Sequence, residues 1–336
     1  IRRPPRSTLF PYTTLFRFSV VLNGVDGDIG ISGGTTTFNS TATTNGATGG
    51  LSISAGTLTN NALLTVNENL TQTGGTLSGT GNIAVNGLVS LSVGGTFNGT
   101  GRTIYVAGDW DETAAIFSAG TGTVEFNGTT PSLTATSAFN NLTVNGTSVT
   151  LASNITTTAD LSVSVGTLAA AGYTLTVGDD LTIAGTLTTP AGSNITLAGD
   201  WSRTGTWTNS GNVTVTMNGT GAILNAQTFY DLVVSAGTRT SAFLVTVSNN
   251  LTVSGGSFTC SAGLAVTATA TLSGGTLTCD TAGTVSAGTL TMSGGDMTIN
   301  NPATLTVNTA DFTINSAAST YVLDMNTPSP RWRATQ

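Results

Sequence analysis

"DLSVSVGTLAAAGYTLTVGDDLTIAGTLTTPAGSNITLAGDWSRTGTW", residues 160–207, carries the period that decides the fold. Asp160-Leu161, Asp180-Leu181 and Asp200-Trp201 each set an acid just before a large apolar residue. Gly166, Gly185 and Gly205, spaced 19 and then 20 residues, each open a Gly-Thr-apolar triplet ending at Leu168, Leu187 and Trp207. Between these marks the chain alternates, as in "TLTV" at 174, with Thr, Val and Leu at period two. Such runs read as short strands with one apolar face, and the Gly, Asn and Asp positions as turns.

The same signature continues on both sides. Triplets at 56, 75 and 95 end at Leu58, Leu77 and Phe97, and those at 256, 275 and 295 end at Phe258, Leu277 and Met297. Each set repeats the 19 and 20 spacing. Further Asn or Asp residues precede apolar ones at Asn69-Leu70, Asp109-Trp110, Asn141-Leu142, Asp231-Leu232 and Asn250-Leu251. A longer repeat of about 90 residues overlies the short one: "AGDW" at 107 returns at 198, and "FNNLTV" at 139 returns as "FYDLVV" at 229. No stretch shows a 3.6-residue period. Strands of three to five residues cannot each bury a face alone, but coils stacked on one another share an interior.

The expected fold is therefore all-β: a single elongated parallel β-helix, or β-solenoid, of about 20 residues per coil and right-handed by default. Residues 18–318 would make roughly 15 coils and a rod of about 70 Å at ~4.8 Å per coil. Its expected core repeat is Leu58, Leu77, Phe97, Leu168, Leu187, Trp207, Phe258, Leu277 and Met297. The competing layout is a chain of β-sandwiches of about 90 residues each. Sandwich strands, however, have no reason to repeat one Gly-x-apolar triplet in register. Residues 18–50 read as a Gly/Thr-rich start, 51–318 as the repeats, and 319–336 as an irregular tail with Trp332 between two arginines.

Composition narrows the function. Lysine and histidine are absent, all nine basic residues are arginine, and charged residues make up 7% of the chain, against roughly 25% in an average domain. Residues 18–330 hold only Arg102, Arg203 and Arg239 against sixteen acids. Nucleic acid and anionic membrane surfaces need clustered cations and are poor partners for such a body. No apolar run approaches the ~20 residues of a spanning helix.

The first 17 residues, "IRRPPRSTLFPYTTLFR", carry four arginines, three prolines and none of the repeat. They do not read as a signal peptide. They resemble instead the translation, in one frame, of a sequencing-library adapter, up to the break at Phe18. The expectation is a non-native leader joined to an internal fragment of a larger reading frame from environmental or draft sequence.

Catalytic readings find little support. Polysaccharide lyases and hydrolases need carboxylates facing one another across a groove, or an acidic metal site beside a base. The chain has three glutamates, Glu68, Glu112 and Glu125, and its aspartates mostly take the repeated turn position. Asp179-Asp180 reads as a solvated turn. Asp26 and Asp28 in "NGVDGDIG" faintly resemble a calcium loop but lack further ligands. No catalytic residue, metal or cofactor is expected.

Thr57/Thr59, Thr186/Thr188, Thr206/Thr208 and Thr276/Thr278 flank inward positions, as in the threonine ranks of ice-binding solenoids, but Asn98, Ala169 and Asp296 interrupt the array. Cys260 and Cys279 each follow a triplet glycine by four residues. They should stack on neighbouring coils, facing inward, either as a disulfide or as reduced apolar filler.

From Ser52 to about Ala318, the Gly-Thr-Leu triplets and Asn/Asp-Leu-Thr-Val strands resemble the β-strand-repeat proteins of bacterial surfaces, which include autotransporter passengers and filamentous-haemagglutinin-like adhesins. That resemblance implies an exported, non-catalytic stalk or adhesin segment at the cell surface or outside it. Its partner would be an unidentified surface ligand or extracellular matrix. An ice-binding or carbohydrate-binding face, or a degenerate β-helix polysaccharide enzyme, are the alternatives.

Overall fold

The computed structural model describes residues 14–16, 20–21, 28–44, 49–114, 116–280, 284–300, 304–307 and 312–314. These residues are all-β, and every strand pairing described is parallel. They form a parallel β-solenoid of about 13 turns with roughly 20 residues per turn. The 15 coils expected from residues 18–318 counted segments outside the described residues. The chain divides into two compact units, Ile1–Thr158 with Ser164–Ala169, and Ala159–Val163 with Ala170–Gln336.

The strands are short because each coil has three faces. A typical strand is three residues long and buries its first and third side chains, as Leu64–Val66 and Leu251–Val253 do. In the first unit the long strands Ile29–Phe38 and Leu51–Asn60 pair along their length. The second then carries two ladders, Leu70–Gln72 on its first half and Thr76–Ser78 on its second. A third ladder climbs through Leu64–Val66, Ile83–Val85, Thr103–Val106, Thr123–Phe126 and Asn141–Val144. The second unit repeats the plan. One ladder runs from Leu161–Val163 through Trp201–Arg203 to Asp296–Ile299, and another from Leu175–Val177 to Leu264–Leu272.

The repeated glycine has two causes. Gly75 adopts φ +64°, a left-handed turn that a side chain resists. A Cβ there would also lie 2.6 Å from the carbonyl oxygen of Gly56 on the coil beneath. The chain turns left-handed where two backbones touch, so the position demands glycine twice over.

Two residues on, the apolar member points inward. Leu58, Leu77, Phe97, Leu168, Leu187, Phe258, Leu277 and Met297 are buried. Leu58, Leu77 and Phe97 stack in register, as do Phe258, Leu277 and Met297. Trp207 departs from this reading: it sits in register on Leu187 but is half-buried. Its ladder ends at Thr206–Asn209, so no strand of that ladder covers it.

Of the suspected adapter sequence, only the backbone of Thr14–Phe16 is described; it lies parallel to Ile29–Phe38 with Thr14 opposite Thr36. The rest of residues 1–17, Asp26 and the tail 319–336 lie outside the described residues.

Candidate functional site

The recurring Asn and Asp residues are engaged with the backbone. Oδ1 of Asn69 accepts the N–H of Leu88 at 2.8 Å, and Oδ1 of Asp109 that of Ser132 at 2.7 Å. Oδ1 of Asp180 accepts from Asp200 at 2.7 Å, and Oδ1 of Asp231 from Asn250 at 2.9 Å. Each side chain reaches one coil onward and pairs an amide at a corner that the ladder leaves open. Asp28 does likewise with Gly50, at 2.7 Å, so it is occupied as a turn acceptor. Asp179 lies beside Asp180, Asp160 and Asp200; desolvation first, then these neighbours in that order, raises its carboxyl above the usual range. No group of three or more acids and cysteines placed to hold a metal ion occurs among the described residues.

Cys260 and Cys279 are direct register partners on adjacent strands, both buried and both free thiols. Burial pushes the Cys260 thiol well above its ordinary value, with Cys279 and Asp280 adding to it. Burial and Asp280 raise Cys279. Such thiols are neutral filler, not nucleophiles.

The coils open where a ladder stops. In the first unit the ladder through Thr96–Asn98 ends at Ile116–Ser118. Phe117 and Phe139 pack there edge to face on Trp110 and tilted on each other, with centroids 5.0 to 5.7 Å apart. Glu112, fully buried, lies against the same break. Its carboxylate accepts N–H groups from Phe117 and Thr136 at 3.3 Å and from Ser137 at 3.1 Å, together with the hydroxyl of Ser137. Those amides have lost their strand neighbour, and the carboxylate takes its place.

The second unit has its own break, between the end of Thr206–Asn209 and the new ladder that begins at Gln227–Phe229. Trp201, Trp207 and Phe229 form the matching trio, 4.9 to 5.7 Å apart. Here the third residue after "AGD" is Arg203, where the earlier copy has Glu112. Arg203 Nε donates to Gln227 Oε1 at 2.9 Å and Nη1 to the carbonyl of Gly205 at 3.0 Å. The Gln227 amide nitrogen is buried and unpaired. The result is a cleft of about 250 Å³ lined by Arg203, Trp207, Ala226, Gln227, Thr228, Leu244 and Thr246. Leu224, Phe243 and Leu244 are more than 40% exposed, an apolar surface in the same segments.

The other two body arginines are inside. Arg239 is fully buried and donates to the carbonyls of Gly199, Ala198 and Gly219. Arg102 is buried and donates to Gly79. Desolvation lowers each guanidinium to a pKa of about 10, with Asp200 and Asp180 opposing the shift at Arg239.

Sequence reasoning found the Cys260 and Cys279 register and eight of the nine core positions but missed the opening at Trp207, Glu112, Arg203 and the cleft. The available signal was the "AGDW" repeat. With Trp110 and Trp201 facing in, strand alternation puts the residue two places on inward as well, and there both copies carry a charge.

The fold and the site together define a parallel β-solenoid whose polar corner residues mainly serve its own backbone. Comparison of the chain with protein-family models, curated proteins and solved structures found no match.

Proposed function

We propose that the chain is a non-catalytic stalk or adhesin segment of a large exported bacterial surface protein. The observation that carries this reading is the use of the acids. Asp28, Asp109, Asp180, Asp200 and Asp231 accept backbone amides at coil corners, and Glu112 fills a ladder break. Side chains spent on holding coils in register are not free to exchange protons with a substrate. A stack in which each coil contacts mainly its neighbours also lengthens by repetition, which suits a spacer.

The ice-binding alternative is weakened by the threonine ranks themselves. Thr59 and Ser78 hydrogen-bond each other at 3.3 Å, and register sets Asn98 and Ser118 in the same rank.

An antibody against the chain, applied to intact source cells, tests the proposal. Labelling without lysis, together with no cleavage of a polysaccharide panel by the purified protein, is the expected result. Labelling only after lysis, or release of new chain ends from any polysaccharide, overturns it.

A further inference from the structure

We propose that the cleft between Arg203, Trp207 and Gln227 binds one pyranose unit that carries a carboxylate, within or at the end of an otherwise uncharged glycan. The first reason is charge. The described residues include three arginines; Arg102 and Arg239 are buried, so Arg203 is the one cationic side chain among them that reaches solvent, and it lines the cleft. No carboxylate pairs with it among the described residues. Its Nε and Nη1 are fixed by Gln227 and Gly205, which sets the plane of the guanidinium and leaves Nη2 as a charged donor without a partner among the described residues. An oriented guanidinium is suited to a carboxylate.

The second reason is the amide beside it. Gln227 is 3% exposed and its Oε1 already accepts from Arg203, so the side chain cannot flip and Nε2 is held buried without an acceptor. A buried donor of this kind calls for a polar ligand atom. Third, the half-buried indole of Trp207 is immobilised by its Nε1–H bond to Thr189 at 2.9 Å, an edge contact with Trp201 and a tilted contact with Phe229. It forms a rigid apolar plate, suited to the C–H face of a sugar, while Thr228 and Thr246 supply hydroxyls on the same cleft.

Size and field set the remaining limits. A volume of about 250 Å³ falls just below the range for drug-sized ligands and admits a single ring. The sixteen acids of the body repel a polyanion, which selects an isolated acidic unit over a run of them. The matching break in the first unit shows the contrast, since Glu112 is sated there by its own chain.

The proposal does not rest on export, and its failure leaves the scaffold reading intact. The test titrates the full chain with methyl β-glucuronide, followed by ligand-observed NMR and tryptophan fluorescence. The uncharged methyl ester of the same sugar, and acetate, serve as comparisons. Saturable binding is expected, at least tenfold weaker for the ester and for Arg203→Gln, with acetate a poor competitor. Thr228→Trp, on the exposed rim, should abolish binding without disturbing the core, and it decides the matter if Arg203→Gln does not fold. Absence of binding, equal binding of the ester, equal competition by acetate, or wild-type affinity in a folded Arg203→Gln or Thr228→Trp protein overturns the proposal.

Discussion

Glu112 and Arg203 stand at the same point of the long repeat with opposite charges, and each answers a stopped ladder in its own way. Glu112→Gln keeps the volume but replaces one acceptor oxygen by a donor that faces other donors. Loss of charge-assisted bonds of this kind should cost about 1.5–3 kcal/mol, read as a lowered denaturation midpoint. Glu112→Ala should cost more, because the amides of Thr136 and Ser137 then lose their carboxylate acceptor and Phe117 keeps only the Ser137 hydroxyl at 3.3 Å, and their hydrogen exchange should accelerate well beyond that of distant strands. An unchanged midpoint in both variants would mean water replaces the carboxylate freely. The repeated "AGDW" marked both positions as inward charges, but not what would satisfy them. Alternation assigns inward positions to apolar side chains, and what satisfies a charge there, a ladder ending beside Glu112 and Arg203 or the carbonyls around Arg239, depends on strand pairing and not on local pattern.

Local pattern did suffice for the triplets and for the cysteine register, because both rest on period two and a fixed turn. Gly75→Ala tests the turn: forcing a Cβ into φ +64° should cost roughly 1–2 kcal/mol from backbone strain alone, with the contact to Gly56 adding to it. A lower melting temperature checks this. The Cys260 and Cys279 pair titrates in a definite direction. Both thiols hold their protons in the fold to higher pH than the ordinary value of 9.0. Above that value the unfolded chain loses protons that the folded chain retains, so the thiols' contribution to stability falls as pH rises past about 9. Cys260→Ala/Cys279→Ala should therefore show a shallower alkaline loss of stability than the wild type. Iodoacetamide at pH 8 should modify neither thiol until the chain is unfolded; rapid labelling of the native protein would contradict their burial. Trp207 marks the limit of the element-scale reading. Its triplet predicted a core residue, and only the ending of its ladder leaves the indole half open.

At the scale of the molecule, the 20-residue period announced a solenoid because one turn pattern recurs through most of the chain, while the places where ladders stop had no sequence mark strong enough to find. Coils that touch mainly their neighbours should lose stability locally. Leu232→Ala, in a fully buried position between Val215 and Leu251, should create a cavity costing about 2–5 kcal/mol. Amide exchange should rise in the adjoining strands Thr214–Met217 and Leu251–Val253, yet remain slow in Leu64–Val66 of the other unit. Uniform acceleration would show that the chain unfolds as one block. The burial of Arg102 and Arg239 has a consequence for how the chain meets proteases. Digestive enzymes that cut after basic residues find no lysine anywhere and, between residues 18 and 330, three arginines. Two are sealed in the interior, and Arg203 belongs to a strand paired with Leu181–Ile183. Trypsin should leave the described coils intact for as long as they remain folded, so a digest that dismantles lysine-rich proteins would spare this one.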